Sequence, residues 1–126
     1  MVVNQLAIYT QNDKGNVYNI LKILGDKKIN IVSLNLADTE DFGILRLITE
    51  DNKKAQEALI ENGYMTTLTD LLSIKVKNEP GDLEKILKKI ADAKVNIEYI
   101  YSYSKDGFTY ILIKTDDLLA TEKLLA

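Results

Sequence analysis

Two short stretches of this chain bring an asparagine, a glycine and the start of a helix together: Asn12-Asp13-Lys14-Gly15 and Asn78-Glu79-Pro80-Gly81. A helix start leaves N–H groups without intrahelical partners and carries a partial positive charge, so such a bend can receive a carboxylate. Pro80 suits the first helical turn because its missing N–H would be unpaired there, and Gly81 and Gly15 let a backbone or a small ligand approach closely. Asparagine before a helix is also a frequent cap, so either bend alone could simply shape the backbone. Catalytic chemistry has little to work with. The sequence has no histidine and no cysteine, which removes the commonest general base, thiol nucleophiles, thiolate metal sites and disulfides. Carboxylates such as Asp13, Asp82 and Glu98 remain, but no acid is paired with a base, so neither catalytic residues nor a metal or cofactor site is expected.

The two bends belong to a larger repeat. A spacing of 66 residues separates Asn12 from Asn78 and Gly15 from Gly81, and it holds for Leu6 and Leu72, Ile20 and Ile86, Asn30 and Asn96, Ile31 and Ile97, and Thr49 and Thr115. Self-similarity at a fixed spacing is the mark of a duplicated unit. Each copy must therefore be able to position its own bend.

Periodicity gives the elements. Residues 5 to 10 alternate as a strand, Val17, Ile20, Leu21 and Leu24 recur at helical spacing, and Ile31 to Ala37 and Phe42 to Thr49 read as two further strands. Glu50 to Asn62 predicts a helix with an apolar stripe at Ala55, Ala58 and Leu59, and Tyr64 to Thr69 predicts a fourth strand. This βαββαβ order is a split βαβ, ferredoxin-like unit with two helices on one face of an antiparallel sheet. The second copy repeats it: a strand over Leu71 to Lys77, a helix from Pro80, strands over Asn96 to Tyr103 and Phe108 to Thr115 joined at Lys105-Asp106-Gly107, and a helix from Asp116. The expected fold is α+β, with domains over residues 1–69 and 70–126 and no match in the second copy for Tyr64 to Thr69. That leaves an open sheet edge, which Met65 to Asp70 or a neighbouring chain could cover, or which could stay exposed. A homodimer is one expected solution.

A chain of 126 residues with 46% hydrophobic content and a formal charge of −3 is expected to be soluble and cytoplasmic. No apolar run approaches the roughly 20 residues that span a bilayer, and the N-terminus has no signal-peptide pattern. Charge clusters such as Lys85, Lys88 and Lys89 read as a solvated helix face.

The pattern of strand, Asn-x-x-Gly, helix and then Asn-Ile at the second strand resembles the ACT domain, once in each half. Asn78-Glu79-Pro80-Gly81 with Val95-Asn96-Ile97 is the closer match, and Asn12-Asp13-Lys14-Gly15 with Ile29-Asn30-Ile31 repeats it without the proline. The whole is similar to small stand-alone tandem ACT proteins that carry no catalytic domain. The resemblance implies that a free amino acid binds between paired units, near the first loop of one and the second strand of the other, and regulates another polypeptide, such as an enzyme. Carried onto this sequence, the ligand residues are Asn78, Gly81, Asn96 and Ile97, with Asn12, Gly15, Asn30 and Ile31 as their equivalents. An amide offers an acceptor to an ammonium group and donors to a carboxylate, which suits a zwitterion. Serine-binding relatives place a histidine two residues before the loop asparagine, where this chain has Thr10 and Val76.

Tyr99, Tyr101 and Tyr103 fall on one strand face, where the first copy has Ser33, Asn35 and Ala37. Their rings are expected to serve mainly as packing. The alternative function is RNA binding, since an RNA-recognition module shares the element order and Lys105-Asp106-Gly107-Phe108-Thr109-Tyr110-Ile111 faintly matches its aromatic strand. The acidic charge balance does not favour phosphate contacts, so no nucleic acid is expected as a partner.

Overall fold

The computed structural model describes residues 1–11, 15–38 and 42–125. Their elements run β1 (Val2–Gln11), α1 (Asn16–Asp26), β2 (Ile31–Asp38), β3 (Phe42–Thr49), α2 (Asn52–Glu61), β4 (Met65–Lys77), α3 (Asp82–Asp92), β5 (Ile97–Lys105), β6 (Phe108–Thr115) and α4 (Leu118–Leu125). Two compact units result: a first of Asn4–Thr69, and a second of Met1–Val3 with Asp70–Ala126. The architecture is α+β, with antiparallel strands and the ferredoxin-like order expected from the sequence.

In the first unit the strand order is β2-β3-β1-β4, with β4 supplying Met65 to Thr69. Leu6 stands opposite Leu47 and Ile8 opposite Leu45, so strand alternation sends all four to one face. There they pack on Ile20 and Leu24 of α1 and on Ala55 and Leu59 of α2. The predicted stripe of Ala55, Ala58 and Leu59 is buried. Asp51 caps α2 by accepting the Lys54 N–H at 3.0 Å, and Tyr64 packs onto the finished cluster.

The second unit is built on the same plan, with order β1-β4-β6-β5 and β1 supplying Met1 to Val3. Ile90, Ile111 and Ile113 are buried, and Ile74, Val76, Ile86, Leu87 and Leu125 pack around them half-exposed. The edge predicted to be open is thus partly covered by Met1–Val3 of β1. Met1 donates to the Ser73 carbonyl at 3.2 Å and accepts the Ser73 N–H at 2.8 Å, the exchange made by directly opposed antiparallel residues. The 66-residue spacing relates Met1–Val3 to Thr67–Thr69, so each unit takes its fourth strand from the leading residues of a long strand. Periodicity missed this because it began β1 at residue 5 and broke β4 at Asp70.

Between β5 and β6, Asp106 (φ 53°) and Gly107 (φ 79°) both adopt positive φ, the two-residue turn that matches the twist of a hairpin. No helix among the described residues is long and apolar enough to cross a membrane.

Candidate functional site

The chain leaves β4 at Lys77, and the Glu79 N–H turns back onto the Lys77 carbonyl at 2.8 Å. Gly81 then takes the position before α3 at φ 88°, in the left-handed region that glycine enters without strain. Gly15 does the same before α1 at φ 86°. Neither helix start has a side-chain cap. Asn78 is therefore not the cap of α3, and its amide stands exposed beside the bend. Asn12 lies outside the described residues.

A hollow of about 140 Å³ lies against this bend in the second unit. Asn78, Glu79, Asp82 and Lys77 bring polar groups to it, Leu83, Val76 and Ile111 apolar surface, and Ser102 and Thr109 hydroxyls. At about 30 Å³ per water molecule the hollow holds the volume of four or five waters, the scale of a small amino acid. An ammonium group can approach Asp82 or Glu79 while a carboxylate faces the positive end of α3. Val76, two residues before Asn78, packs against the isoleucine cluster, so this wall is apolar. Thr10 is buried and its hydroxyl donates to the Gln11 carbonyl at 3.2 Å.

Asn30 and Asn96 occupy equivalent corners elsewhere in their units. The Asn30 side-chain amide donates to Glu50 Oε1 at 3.2 Å, and the Asn30 backbone carbonyl accepts the Glu50 N–H at 3.0 Å. Asn96 holds Asp116 through its backbone, donating its N–H to Oδ1 at 3.2 Å and accepting the Asp116 N–H at 3.2 Å, while its side chain is exposed. Ile31 and Ile97 pack against their own clusters, immediately before a register shift in β2 and β5. The structure does not bring Asn78 and Asn96 of one unit together. Lys77 pairs with Phe108 at one end of β6, and Ile97 pairs with Thr115 at the other.

Asp82, Ser102 and Thr109 were missed in the sequence as site residues. A signal was present for Ser102: it stands where the first copy has Leu36, a hydroxyl replacing an aliphatic side chain at one repeat position.

Tyr99, Tyr101 and Tyr103 pair across β6 with Lys114, Leu112 and Tyr110, on the sheet face away from the isoleucine cluster. Their rings meet each other: Tyr103 stacks on Tyr110 with centroids 5.0 Å apart, and Tyr99 on Tyr101 at 6.5 Å. Burial, and then the neighbouring Tyr110, push the Tyr103 phenol above its ordinary pKa. Lys75 Nζ lies 4.1 Å over the Phe108 ring, and Lys114 pairs with Glu98 at 3.3 Å.

A family model described as an ACT domain pair matches residues 1–125. No curated protein matches the chain. Among solved structures, a protein of Bacteroides thetaiotaomicron is 34% identical over 99% of this chain and 87% of its own, with a TM-score of 0.92. The ligand-free regulatory subunit of aspartate kinase from Thermus thermophilus shares the fold at 15% identity, covering 99% of this chain and 95% of its own, with a TM-score of 0.66. The corresponding Thermus flavus subunit is 16% identical over 99% of this chain and 93% of its own, with a TM-score of 0.63.

Proposed function

The chain belongs to the ACT domain pair family, a class of ligand-binding regulatory modules, and from that premise we propose that its ligand is a free amino acid held at the Asn78 bend. The observation that carries this reading is the hollow of about 140 Å³ beside an uncapped helix start. It pairs polar groups of both signs with an apolar wall, the combination that a zwitterion with a small side chain requires. Gly81 shapes the approach. Asn96, at the far end of its own unit, contributes from the same unit of a second chain, and Asn30 with Ile31 serves the equivalent role in the other copy.

Such a site is complete only when units associate, which supports a homodimer of chains that each hold two units, one of Asn4–Thr69 and one of Met1–Val3 with Asp70–Ala126. The ligand then biases association in proportion to its preference for the paired arrangement. The protein itself is a cytoplasmic sensor, not a catalyst, and it acts on a partner enzyme.

A thermal-shift screen against the proteinogenic amino acids tests the assignment. A ligand at about 100 times its Kd stabilises the fold by roughly 2.7 kcal/mol. One small amino acid should raise the melting temperature, and Asn78→Ala should remove that rise while leaving the ligand-free value within a few degrees. A flat response to all of them overturns the reading. If single-stranded RNA then gives a shift, the face bearing Tyr103, Tyr110, Phe108 and Lys75 becomes the site, since stacked rings and lysines suit bases and phosphates.

A further inference from the structure

On the sheet face of the second unit that lies away from the isoleucine cluster, lysines and aromatic rings stand in two neighbouring rows. Register places Lys77, Phe108 and Lys105 in one row across β4, β6 and β5, and Lys75, Tyr110 and Tyr103 in the next. The lysines are exposed and the rings half-exposed. With strands about 4.8 Å apart and residues about 3.4 Å apart along each, the six positions span roughly 10 by 7 Å. The exposed surface ends there, since Ser73 and Leu112 in the following row are buried.

Rings and ammonium groups already touch within this patch. Tyr103 and Tyr110 stack with centroids 5.0 Å apart and planes within 9° of parallel. Because β5 is an edge strand, Tyr110 takes one face of the Tyr103 ring and the other looks past the edge of the sheet. Lys75 holds its ammonium 4.1 Å over Phe108, and Lys77 and Lys105 flank the same ring. Among the described residues no carboxylate pairs with any of these lysines. Glu79 and Asp106 lie in the bends beyond Lys77 and Lys105, and Glu98 is engaged by Lys114 at 3.3 Å. Nor does the fold require the set. The 66-residue spacing relates the lysines to Tyr9, Gln11 and Thr39, and Tyr103 and Tyr110 to Ala37 and Ile44. Like charges grouped without counter-ions repel one another, and a bound anion would relieve that repulsion.

We propose that this patch binds a nucleoside triphosphate. The base extends the Tyr110–Tyr103 stack on the outer face of Tyr103, since stacking asks only for a free π-face. The phosphates lie over Phe108 among Lys75, Lys77 and Lys105. Each ammonium acts as a compact point charge, so three of them around one ring suit a chain of phosphates better than a single one. Charge also decides between one nucleotide and a strand. A net charge of −3 opposes a long polyanion, whereas a small ligand responds to the local cationic patch, which is only two rows deep. The site lies on the sheet face opposite Val76 and Ile111, and it stands whether or not an amino acid binds at the Asn78 bend.

The probe is ATP carrying a fluorophore on its ribose, titrated into the full chain by anisotropy at low salt, with unlabelled compounds as competitors. It should bind saturably, and added salt should weaken it. Adenosine and inorganic triphosphate should each compete about ten-fold less well than ATP, because each makes only half of the contacts. Tyr103→Ala should weaken ATP about ten-fold and leave triphosphate unchanged, while Tyr103→Phe keeps the ring and the affinity. Lys77→Gln and Lys105→Gln should each cost about three-fold, and Lys85→Gln, the same loss of charge on α3, should cost nothing. Lys105 is exposed on an edge strand, so Lys105→Gln carries the test even where Tyr103→Ala fails to fold. The proposal is overturned by the absence of saturable binding, by triphosphate competing as well as ATP, or by equal losses from Lys85→Gln and Lys105→Gln. A ten-residue single-stranded oligoadenylate binding about ten-fold tighter than ATP would also overturn it, by making the ligand a strand. So would a lower sedimentation coefficient of the ligand-free Lys105→Gln chain, which would make the face a contact between copies.

Discussion

Asn78 and Asn96 stand at opposite ends of β6, one beyond the pairing of Lys77 with Phe108 and the other before the pairing of Ile97 with Thr115. Seven residue steps at about 3.4 Å each separate those ends by roughly 24 Å, too far for one small ligand to span. A site using both must therefore draw them from different units. Both belong to the second unit of their chain, so those units come from different protomers, and Asn78→Ala and Asn96→Ala chains should each fail to bind alone, yet recover binding when mixed. A mixed dimer then has one site with both changes and one with neither, so free exchange should restore about one quarter of wild-type capacity. Calorimetric stoichiometry measures it. No recovery after exchange, with either variant dead alone, would show that the two residues do not meet in one shared site.

Gly81 isolates backbone geometry from contact. A Cβ added there meets nothing within 4 Å, so Gly81→Ala introduces no clash, only the strain of φ 88° on a residue with a side chain. The expected loss is about 1–2 kcal/mol, read as a lower urea midpoint with unchanged slope. An unchanged midpoint would mean that the bend relaxes and that glycine is not needed for its shape.

Much of the fold was legible because two periodic signals agreed. Leu6 and Ile8 alternate, Ile20 and Leu24 recur at helical spacing, and the same classes return 66 residues later, so one unit predicts the other. Long-range pairing was not legible. Nothing local in Met1–Val3 says that Met1 meets Ser73, since an edge partner is chosen by geometry far along the chain. At the site, the glycine at the helix start could be read from sequence, but that Asn78 would leave α3 uncapped could not. Ser102 and Thr109 come from strands that reach the hollow only after the sheet forms, so chain proximity to the bend could not find them.

The two helices that follow the bends end alike, and not with glycine. Lys28 and Lys94 both adopt φ 58°, and the next residues donate back five positions, Ile29 to the Leu24 carbonyl at 3.0 Å and Val95 to Ile90 at 3.3 Å. This is the position where helices commonly use glycine, because a Cβ is strained there. Lys94 is exposed, so Lys94→Gly removes strain without removing packing. It should raise stability by about 0.5–1 kcal/mol after the added freedom of the unfolded chain is counted. Urea denaturation checks this, and a lowered midpoint would show that the lysine side chain contributes more than its backbone costs.

Thr115 and Thr121 form a buried hydroxyl pair, 2.9 Å apart, tying β6 to α4. Thr121 also donates to the Asp117 carbonyl at 2.8 Å, which leaves Thr115 as the donor between the two hydroxyls. Thr121→Val should cost about 1–3 kcal/mol, because the fully buried Thr115 hydroxyl then loses its acceptor. Adding Thr115→Val removes the stranded donor as well. The double variant should therefore be less destabilised than the sum of the single ones, and strict additivity in a double-mutant cycle would contradict the coupling.

Tyr103 is expected to make the fold less stable at alkaline pH. Burial raises its pKa in the folded chain, and Tyr110 stacked at 5.0 Å raises it further, because a phenolate is poorly solvated there. In the unfolded chain the phenol ionises near its ordinary value of about 10. Below that pH both states keep the proton and the group's contribution to stability is fully present. Above it the unfolded state releases the proton first, so stability falls as pH rises through the folded pKa. Tyr103→Phe should flatten the decline of urea midpoints above about pH 10 while leaving their values near pH 7 almost unchanged, because the ring stack survives without the hydroxyl. In the wild-type chain, phenolate absorbance should show Tyr103 titrating above the ordinary phenol value. An alkaline decline as steep in the Phe variant as in the wild type would assign the limit to other groups.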